Sequence, residues 1–129
     1  MLSELVTRIE AATNAYDAPH SHEVLVALGF EVARHVRGWH IRYPGGRWES
    51  LPRVTHETDD ALRMIERVLP GWELEINSEH RDEAAIWRVK LGDPLRGFDG
   101  EAPTPALALC AAALRALQTA QKGTADAVR

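Results

Sequence analysis

The sequence TPALALCAAALRAL at residues 104–117 predicts a buried helix around which the other elements can pack. Thr104 suits the N-cap position, and Pro105 suits the first helical position, where its missing N–H costs nothing. Alanine and leucine, the best helix formers, supply almost all of the residues that follow. Polar side chains return only at Arg115 and Gln118, so about three turns lack a solvated face, which is typical of a helix inside a packed domain.

A hairpin with one polar face is predicted ahead of this helix. Apolar residues alternate with polar ones in two segments, at Trp72, Leu74 and Ile76 and then at Trp87, Val89 and Leu91. An antiparallel register with Leu74 opposite Val89 satisfies every apolar pair and places two glutamates opposite two cations. These charge pairs are Glu73 with Lys90 and Glu75 with Arg88. We expect the polar residues 78–83 to connect the strands and residues 92–103 to form a loop.

Helical and strand patterns also organise the first half of the chain. Apolar residues at helical spacing predict helices over residues 2–12, 21–28 and 58–69, the first two as a helical hairpin. The expected N-caps are Ser21 and Thr58, and the expected stops are Asn14, Gly29 and Pro70-Gly71. Residues 39–43 alternate as a half-buried strand does, Pro44-Gly45-Gly46 forces a turn, and residues 47–51 return antiparallel.

These elements predict one α+β domain. A chain of 129 residues has the size of a single domain and can bury a core without disulfides or a structural metal. We predict an α-β-α sandwich over residues 1–120, with a mostly antiparallel sheet packed between helices. Residues 121–129 lack apolar periodicity and are predicted to form a frayed tail.

Charge and composition exclude some classes of partner. The net charge of −4 argues against a protein that binds duplex nucleic acid or an anionic membrane. We expect no signal peptide, because the chain begins with an acidic amphipathic segment, and the Ala/Leu stretch is too short to cross a bilayer. The single cysteine, Cys110, can form no intrachain disulfide, so the expected location is the cytoplasm.

Three stretches carry a resemblance to a known family. They are LVTRIEAAT at 5–13; LPRVT at 51–55 with Asp59, Ala61-Leu62 and LPGW at 69–72; and Ala102 with TPALALC at 104–110 and AALR at 112–115. In these stretches the chain resembles the phage ABA sandwich family, small proteins encoded by phages and prophages. It departs from that pattern at Glu57, where a small capping hydroxyl is expected, and in a longer connection between Leu62 and Pro70. The resemblance implies a sheet between helices and a phage or prophage origin; the family has no established activity, so no site residues carry over.

The residue types used in catalysis occur without the spacing that catalysis needs. His20 and His22 could supply two metal ligands, but no matching ligand motif follows them. His56 beside Glu57 is better explained as part of an acidic helix start, and Cys110 among alanines and leucines as a small buried hydrophobe. We therefore expect no metal site, no cofactor and no enzymatic activity, although a hydrolase whose residues meet only in space remains a third alternative.

The second hairpin carries the candidate binding surface. Cations and aromatic residues alternate there in a combination that can stack bases or bind a nucleotide. Its residues are Arg37, Trp39, Arg42, Arg47 and Trp48.

Two hypotheses of function follow from these observations. The leading one is a non-enzymatic phage or prophage accessory protein that binds a protein partner. The alternative is a small-ligand or nucleotide-binding module that uses the Trp39/Trp48 hairpin. The small residues Ala108, Ala111 and Ala112, with Ala116 a turn later, also suggest a homodimer through the C-terminal helix.

Overall fold

The fold is that of a computed structural model, which describes residues 2–13, 17–42, 46–82, 84–92 and 97–127. The elements follow one another as α1 (Leu2–Ala11), α2 (Ser21–Ala27), β1 (Glu31–His35), β2 (Gly38–Arg42), β3 (Trp48–Ser50), α3 (Thr58–Val68), β4 (Glu73–Arg81), β5 (Ala84–Gly92), β6 (Gly97–Ala102) and α4 (Pro105–Ala127). The strands form two three-stranded antiparallel sheets, β1-β2-β3 and β4-β5-β6, which we call the first and the second sheet. The predicted α+β class is confirmed.

α4 is the centre of the core, as its sequence predicts. The Thr104 hydroxyl accepts a hydrogen bond from the Leu107 N–H at 3.3 Å, and residues 106–114 are all buried. β5 and β6 pack on this helix, and α1 and α3 pack against it as well. Contact on several sides at once explains why three turns of the helix lack polar side chains. The helix runs on to Ala127, into the segment for which the sequence predicts a frayed tail.

Gly100 sets how closely β6 approaches α4. A Cβ atom at this position would lie 2.1 Å from the Ala108 carbonyl oxygen and 2.7 Å from the Ala112 nitrogen. Only a residue without a side chain fits there, because both neighbouring atoms belong to the helix backbone. The alanines of α4 and Gly100 together bring the strand into direct contact with the helix.

The predicted hairpin forms, and each strand turns the predicted face inward, but the predicted register is wrong. Leu74 lies opposite Leu91 and not opposite Val89, so the pairing is two residues away from the prediction. A shift of two keeps every side chain on its face, which is why the apolar pattern could not detect it. The strands continue through residues 78–81, predicted as part of the connection, and turn at Asp82, whose φ is +51°.

The loop predicted over residues 92–103 contains a strand. β6 pairs with β5 from Gly92 opposite Gly97 to Trp87 opposite Ala102. Its sequence, GFDGEA, carries two glycines and two acids and has little intrinsic preference for a strand. The strand conformation of β6 is therefore stabilised by packing against α4 and not by the intrinsic preference of its residues.

The N-caps of α2 and α3 lie one residue earlier than predicted. His20 is the N-cap of α2, and its backbone N–H donates to the Glu23 carboxylate at 2.7 Å. Glu57, not Thr58, is the N-cap of α3. Gly29 ends α2 with a φ of +96°, as predicted. The predicted stop at Asn14 lies outside the described residues, as do Tyr43 of the predicted strand and Pro44 and Gly45 of the predicted turn.

Two ion pairs join α1 to other helices. Arg115 on α4 binds the Glu10 carboxylate of α1 through both terminal nitrogens, at 2.5 and 2.8 Å. Arg8 of α1 contacts Glu23 of α2 at 3.4 Å. Burial raises the pKa of Glu23, but the His20 N–H and the Arg8 guanidinium outweigh it, so that this pKa lies below the usual 4.5. Whereas the sequence suggests a helical hairpin of α1 and α2, α1 packs mainly on α4.

Candidate binding surface on the first sheet

The first sheet carries the candidate residues on both of its faces. Its register places Glu31 opposite Arg42 and Arg42 opposite Trp48, so these three side chains share one face. The same face carries His35 and His40, and the opposite face carries Ile41, which is fully buried. We call the face that carries Arg42 and Trp48 the His-Trp face; its residues are Glu31, His35, His40, Arg42 and Trp48.

Ring contacts connect the side chains of the His-Trp face. The imidazole rings of His35 and His40 stack with centroids 4.6 Å apart, and the His35 ring meets Trp48 edge-on at 5.0 Å. The Arg42 guanidinium lies over the Trp48 ring, 5.2 Å from its centroid, and also pairs with Glu31. Because Trp48 remains 38% exposed, the face presents an aromatic surface and a cation to solvent at once.

Trp39 does not belong to this face. It alternates with His40 along β2, so its side chain lies on the other side of the sheet. There it stacks on His22 of α2, with ring centroids 4.4 Å apart and planes 6° from parallel. His22 stacks in turn on His20 at 5.6 Å. The predicted Trp39/Trp48 surface is therefore two separate sites, and the two rings cannot hold one ligand between them.

The two remaining predicted residues flank the sheet. Arg37 lies in the turn between β1 and β2, Arg47 directly precedes β3, and both are exposed. Within the described residues neither of these arginines forms an ion pair. Residues 31–50 hold four arginines and two glutamates, a net charge of +2 in a chain whose total is −4. The first sheet is thus a basic region of an acidic protein.

His35 and His40 belong to the surface although no local pattern in the sequence indicates it. β1 itself was not predicted, so no register was available to bring His35 beside the aromatic residues. The signal that could have found them is Gly38, which closes the tight turn between β1 and β2 with a φ of +114°. A hairpin centred on residues 36–37 places the two histidines on one face.

Cys110, the single cysteine of the chain, has a structural role. Cys110 is fully buried, its thiol donates to the Val54 carbonyl at 3.3 Å, and burial raises its pKa to about 12. The predicted interpretation of Cys110 as a buried hydrophobe is confirmed. Among the described residues no group of three or more His, Cys, Asp or Glu side chains could hold a metal ion.

The structure does bring together one hydroxyl–imidazole set. The Thr55 hydroxyl lies 2.9 Å from the Ser21 hydroxyl and 3.0 Å from Nδ1 of His56. Such a contact resembles a nucleophile beside its base, but Thr55 is fully buried and cannot meet a substrate. The set instead links the start of α2 to the segment that leads into α3.

The alanine stripe of α4 is not free to form a homodimer interface. Ala108, Ala111 and Ala112 have no exposed surface, and Ala116 is 3% exposed. They are buried by elements of the same chain, with β6 held against them at Gly100. The small side chains thus allow a close approach to the helix, but the approaching element is a strand of the same chain and not a second copy.

Comparison of the chain with protein-family models, with curated proteins and with solved structures gives no match. The resemblance to the phage ABA sandwich family therefore stays a prediction. The described helices include none whose length and apolar character suit a membrane span.

Proposed function

We propose that this chain is a non-enzymatic binding protein that contacts a protein partner through the first sheet. Large apolar side chains that remain exposed carry the proposal. In the described part of the chain these are Val26, Val36, Trp39, Trp48 and Leu74. Val26 lies in α2, Val36 in the turn between β1 and β2, and Trp39 and Trp48 in the first sheet. Trp39 faces away from Trp48, so Trp48 is the exposed apolar side chain of the His-Trp face.

The composition of this region suits a protein interface. Tryptophan and arginine are enriched among the residues that contribute most to protein–protein binding. Trp48 with the Arg42 guanidinium over it supplies such a centre, and Arg37 and Arg47 supply cations without ion-pair partners in the described chain. The net charge of +2 favours a partner whose contact surface is acidic.

The proposal is non-enzymatic because the two reactive groups with candidate partners lie inside the core. The Cys110 thiol and the Thr55 hydroxyl are both fully buried. We further propose a phage or prophage accessory protein that acts in the cytoplasm; its support is the resemblance carried by residues 5–13, 51–72 and 102–115.

Affinity capture with matched variants tests the proposal. Wild-type protein and the Trp48→Ala variant are immobilised, incubated with a bacterial lysate, and the captured proteins are quantified by mass spectrometry. The dissociation constant of a captured protein is then measured with purified components. A central tryptophan contributes about 2 kcal/mol or more, so Trp48→Ala should weaken binding about 30-fold.

Arg42 and Arg63 supply a matched pair of controls. Each is an exposed arginine paired with one carboxylate, Arg42 with Glu31 in the first sheet and Arg63 with Asp60 on α3. Arg42→Ala should weaken the same complex, and Arg63→Ala should leave its affinity unchanged. A partner that binds all three variants and the wild type equally would contradict the assignment of the surface.

A second candidate function is nucleotide or single-stranded nucleic acid binding. The Arg42 guanidinium over Trp48 and the neighbouring stacked imidazoles favour it, because flat rings beside cations stack bases. Titration with a short oligothymidylate should then quench tryptophan fluorescence in the wild type and in Trp39→Ala, and lose the quenching in Trp48→Ala. Lack of a saturable change in the wild type would remove this candidate.

A further inference from the structure

The second sheet ends in a long exposed edge. β4 has nine residues, whereas the other edge strands, β6, β1 and β3, have six, five and three. Within the described chain, the backbone of residues 73–78 is hydrogen-bonded only through its pairing with β5. Alternate N–H and C=O groups of this strand therefore point away from the sheet. Such an edge is a template for the addition of another strand.

The opposite edge of the same sheet is protected by side chains. The Glu10 carboxylate accepts the Glu101 N–H of β6 at 3.1 Å, and the Arg115 guanidinium donates to the Asp99 carbonyl at 2.7 Å. α1 and α4 thus occupy hydrogen-bonding positions that an added strand would need. The two edges differ in their readiness to pair, and β4 is the open one.

An apolar groove adjoins the beginning of β4. It lies between the end of α3 and the strand, encloses about 480 Å³, and is lined by Leu62, Ile65, Leu69, Trp72 and Leu74 among others. Leu74 remains 38% exposed on the strand itself. A strand added to this edge could place apolar side chains beside Leu74 and into the groove.

The other face of β4 is acidic. Glu73, Glu75 and Glu79 are exposed there at alternate positions. Arg88 of β5 already binds both Glu79 and Glu101, and Lys90 lies opposite Glu75. Carboxylates therefore outnumber cations on this face of the second sheet. A basic side chain on an added strand would lie beside a carboxylate of β4.

We propose that the β4 edge binds an extended segment of a partner protein in which lysine or arginine alternates with bulky aliphatic residues. The period of two in a strand sends the basic side chains to Glu73 and Glu75 and the aliphatic ones to Leu74 and the groove. Backbone hydrogen bonds to the open edge supply affinity, and the two faces supply selectivity, as in other cases of strand addition. This surface is separate from the first sheet.

A synthetic peptide tests the proposal on the full chain. The probe is a short acetylated and amidated peptide of alternating lysine and valine, titrated into isotopically labelled protein while amide chemical shifts are followed. We expect saturable binding with a dissociation constant below about 1 mM and shifts concentrated at residues 73–78. A peptide of the same composition with its lysines and valines in separate blocks, and one of alternating glutamate and valine, should bind at least about tenfold more weakly.

Charge-reversal variants separate the edge from a general attraction of basic peptides. Glu75→Lys on β4 and Glu49→Lys on β3 change the net charge equally, and both replace an exposed glutamate of a strand. The first should weaken peptide binding about tenfold and the second less than about twofold. Equal effects, equal binding of the block peptide, or shifts centred outside β4 would overturn the proposal. So would dimerisation of the chain through β4, seen as sedimentation that depends on concentration and is abolished by Glu75→Lys.

Discussion

Replacing Gly100 by alanine should cause a large loss of stability, because β6 touches the backbone of α4 at this point. The new Cβ would lie 2.1 Å from the Ala108 carbonyl oxygen, whereas ordinary contacts begin at 3.4 Å. The strand and the helix must therefore separate by about 1.3 Å along this direction. Neither atom can move aside as a side-chain tip would, since both belong to regular backbone.

The expected cost follows from what the separation does to the core. Overpacking a core costs typically about 1–3 kcal/mol when side chains can adjust, so a clash between backbones should reach about 3 kcal/mol or more. A gap of about 1 Å also forfeits a quarter to a half of the dispersion energy of each contact between β6 and α4. A native domain has only about 5–15 kcal/mol in total, so the melting temperature should fall by about 10 °C or more.

Urea unfolding followed by far-UV circular dichroism measures this loss, with Gly97→Ala as the control. Gly97 lies in the same strand, is exposed, and a Cβ there would come no closer than 4.0 Å to the Leu91 carbonyl oxygen. Gly97→Ala should change the free energy of unfolding by less than about 0.5 kcal/mol. A Gly100→Ala variant within about 1 kcal/mol of the control would refute the close approach of β6 to α4.

Three further measurements test other contacts. Glu23→Gln should lower the free energy of unfolding at neutral pH, because the pKa of Glu23 is lowered in the native state. The difference from wild type should vanish as the pH falls from 4.5 through that lowered pKa. A difference that stays constant with pH would contradict the ion pair with Arg8. Arg115→Met should cost about 1–2 kcal/mol, and a double-mutant cycle with Glu10→Gln should show coupling of about 1 kcal/mol, whereas additive losses would exclude a direct interaction. Cys110 should resist a thiol reagent at pH values where free thiols react and be labelled at the rate of global unfolding; fast labelling of the native protein would show that it is accessible.

Sequence alone predicts the elements for which local signals and tertiary packing agree. α4 carries a capping threonine, a proline at its first position and strong helix formers, and each of these favours the same helix. β6 shows the reverse case, since GFDGEA has no strand signal and depends on α4 for its place. The sequence predicts that Gly100 lies in a loop, whereas in the structure it packs against the backbone of α4.

The register of the second hairpin shows how far patterning reaches. Period-two alternation assigns the faces of β4 and β5 correctly, because a strand has only two faces. The predicted charge pairs did not distinguish the true register, since Glu75 finds a cation opposite it in both, Arg88 in the prediction and Lys90 in the structure. In the structure β4 runs four residues further than predicted, through residues 78–81, and the chain then turns at Asp82 with a positive φ.

The strand register places the candidate residues on two opposite faces of the first sheet. Arg42 lies opposite Trp48, so every second residue of β2 counted from Arg42 shares the face of Trp48, and Trp39 falls on the other one. The alternation of arginine and tryptophan in the sequence predicts one binding surface that includes both tryptophans. In the structure the two half-exposed rings lie in different surroundings. Trp48 lies beside the Arg42 guanidinium and the His35 imidazole, while Trp39 is covered on one side by His22. A partner that contacts the His-Trp face should thus depend on Trp48 and tolerate changes at Trp39, and this asymmetry follows from the strand register.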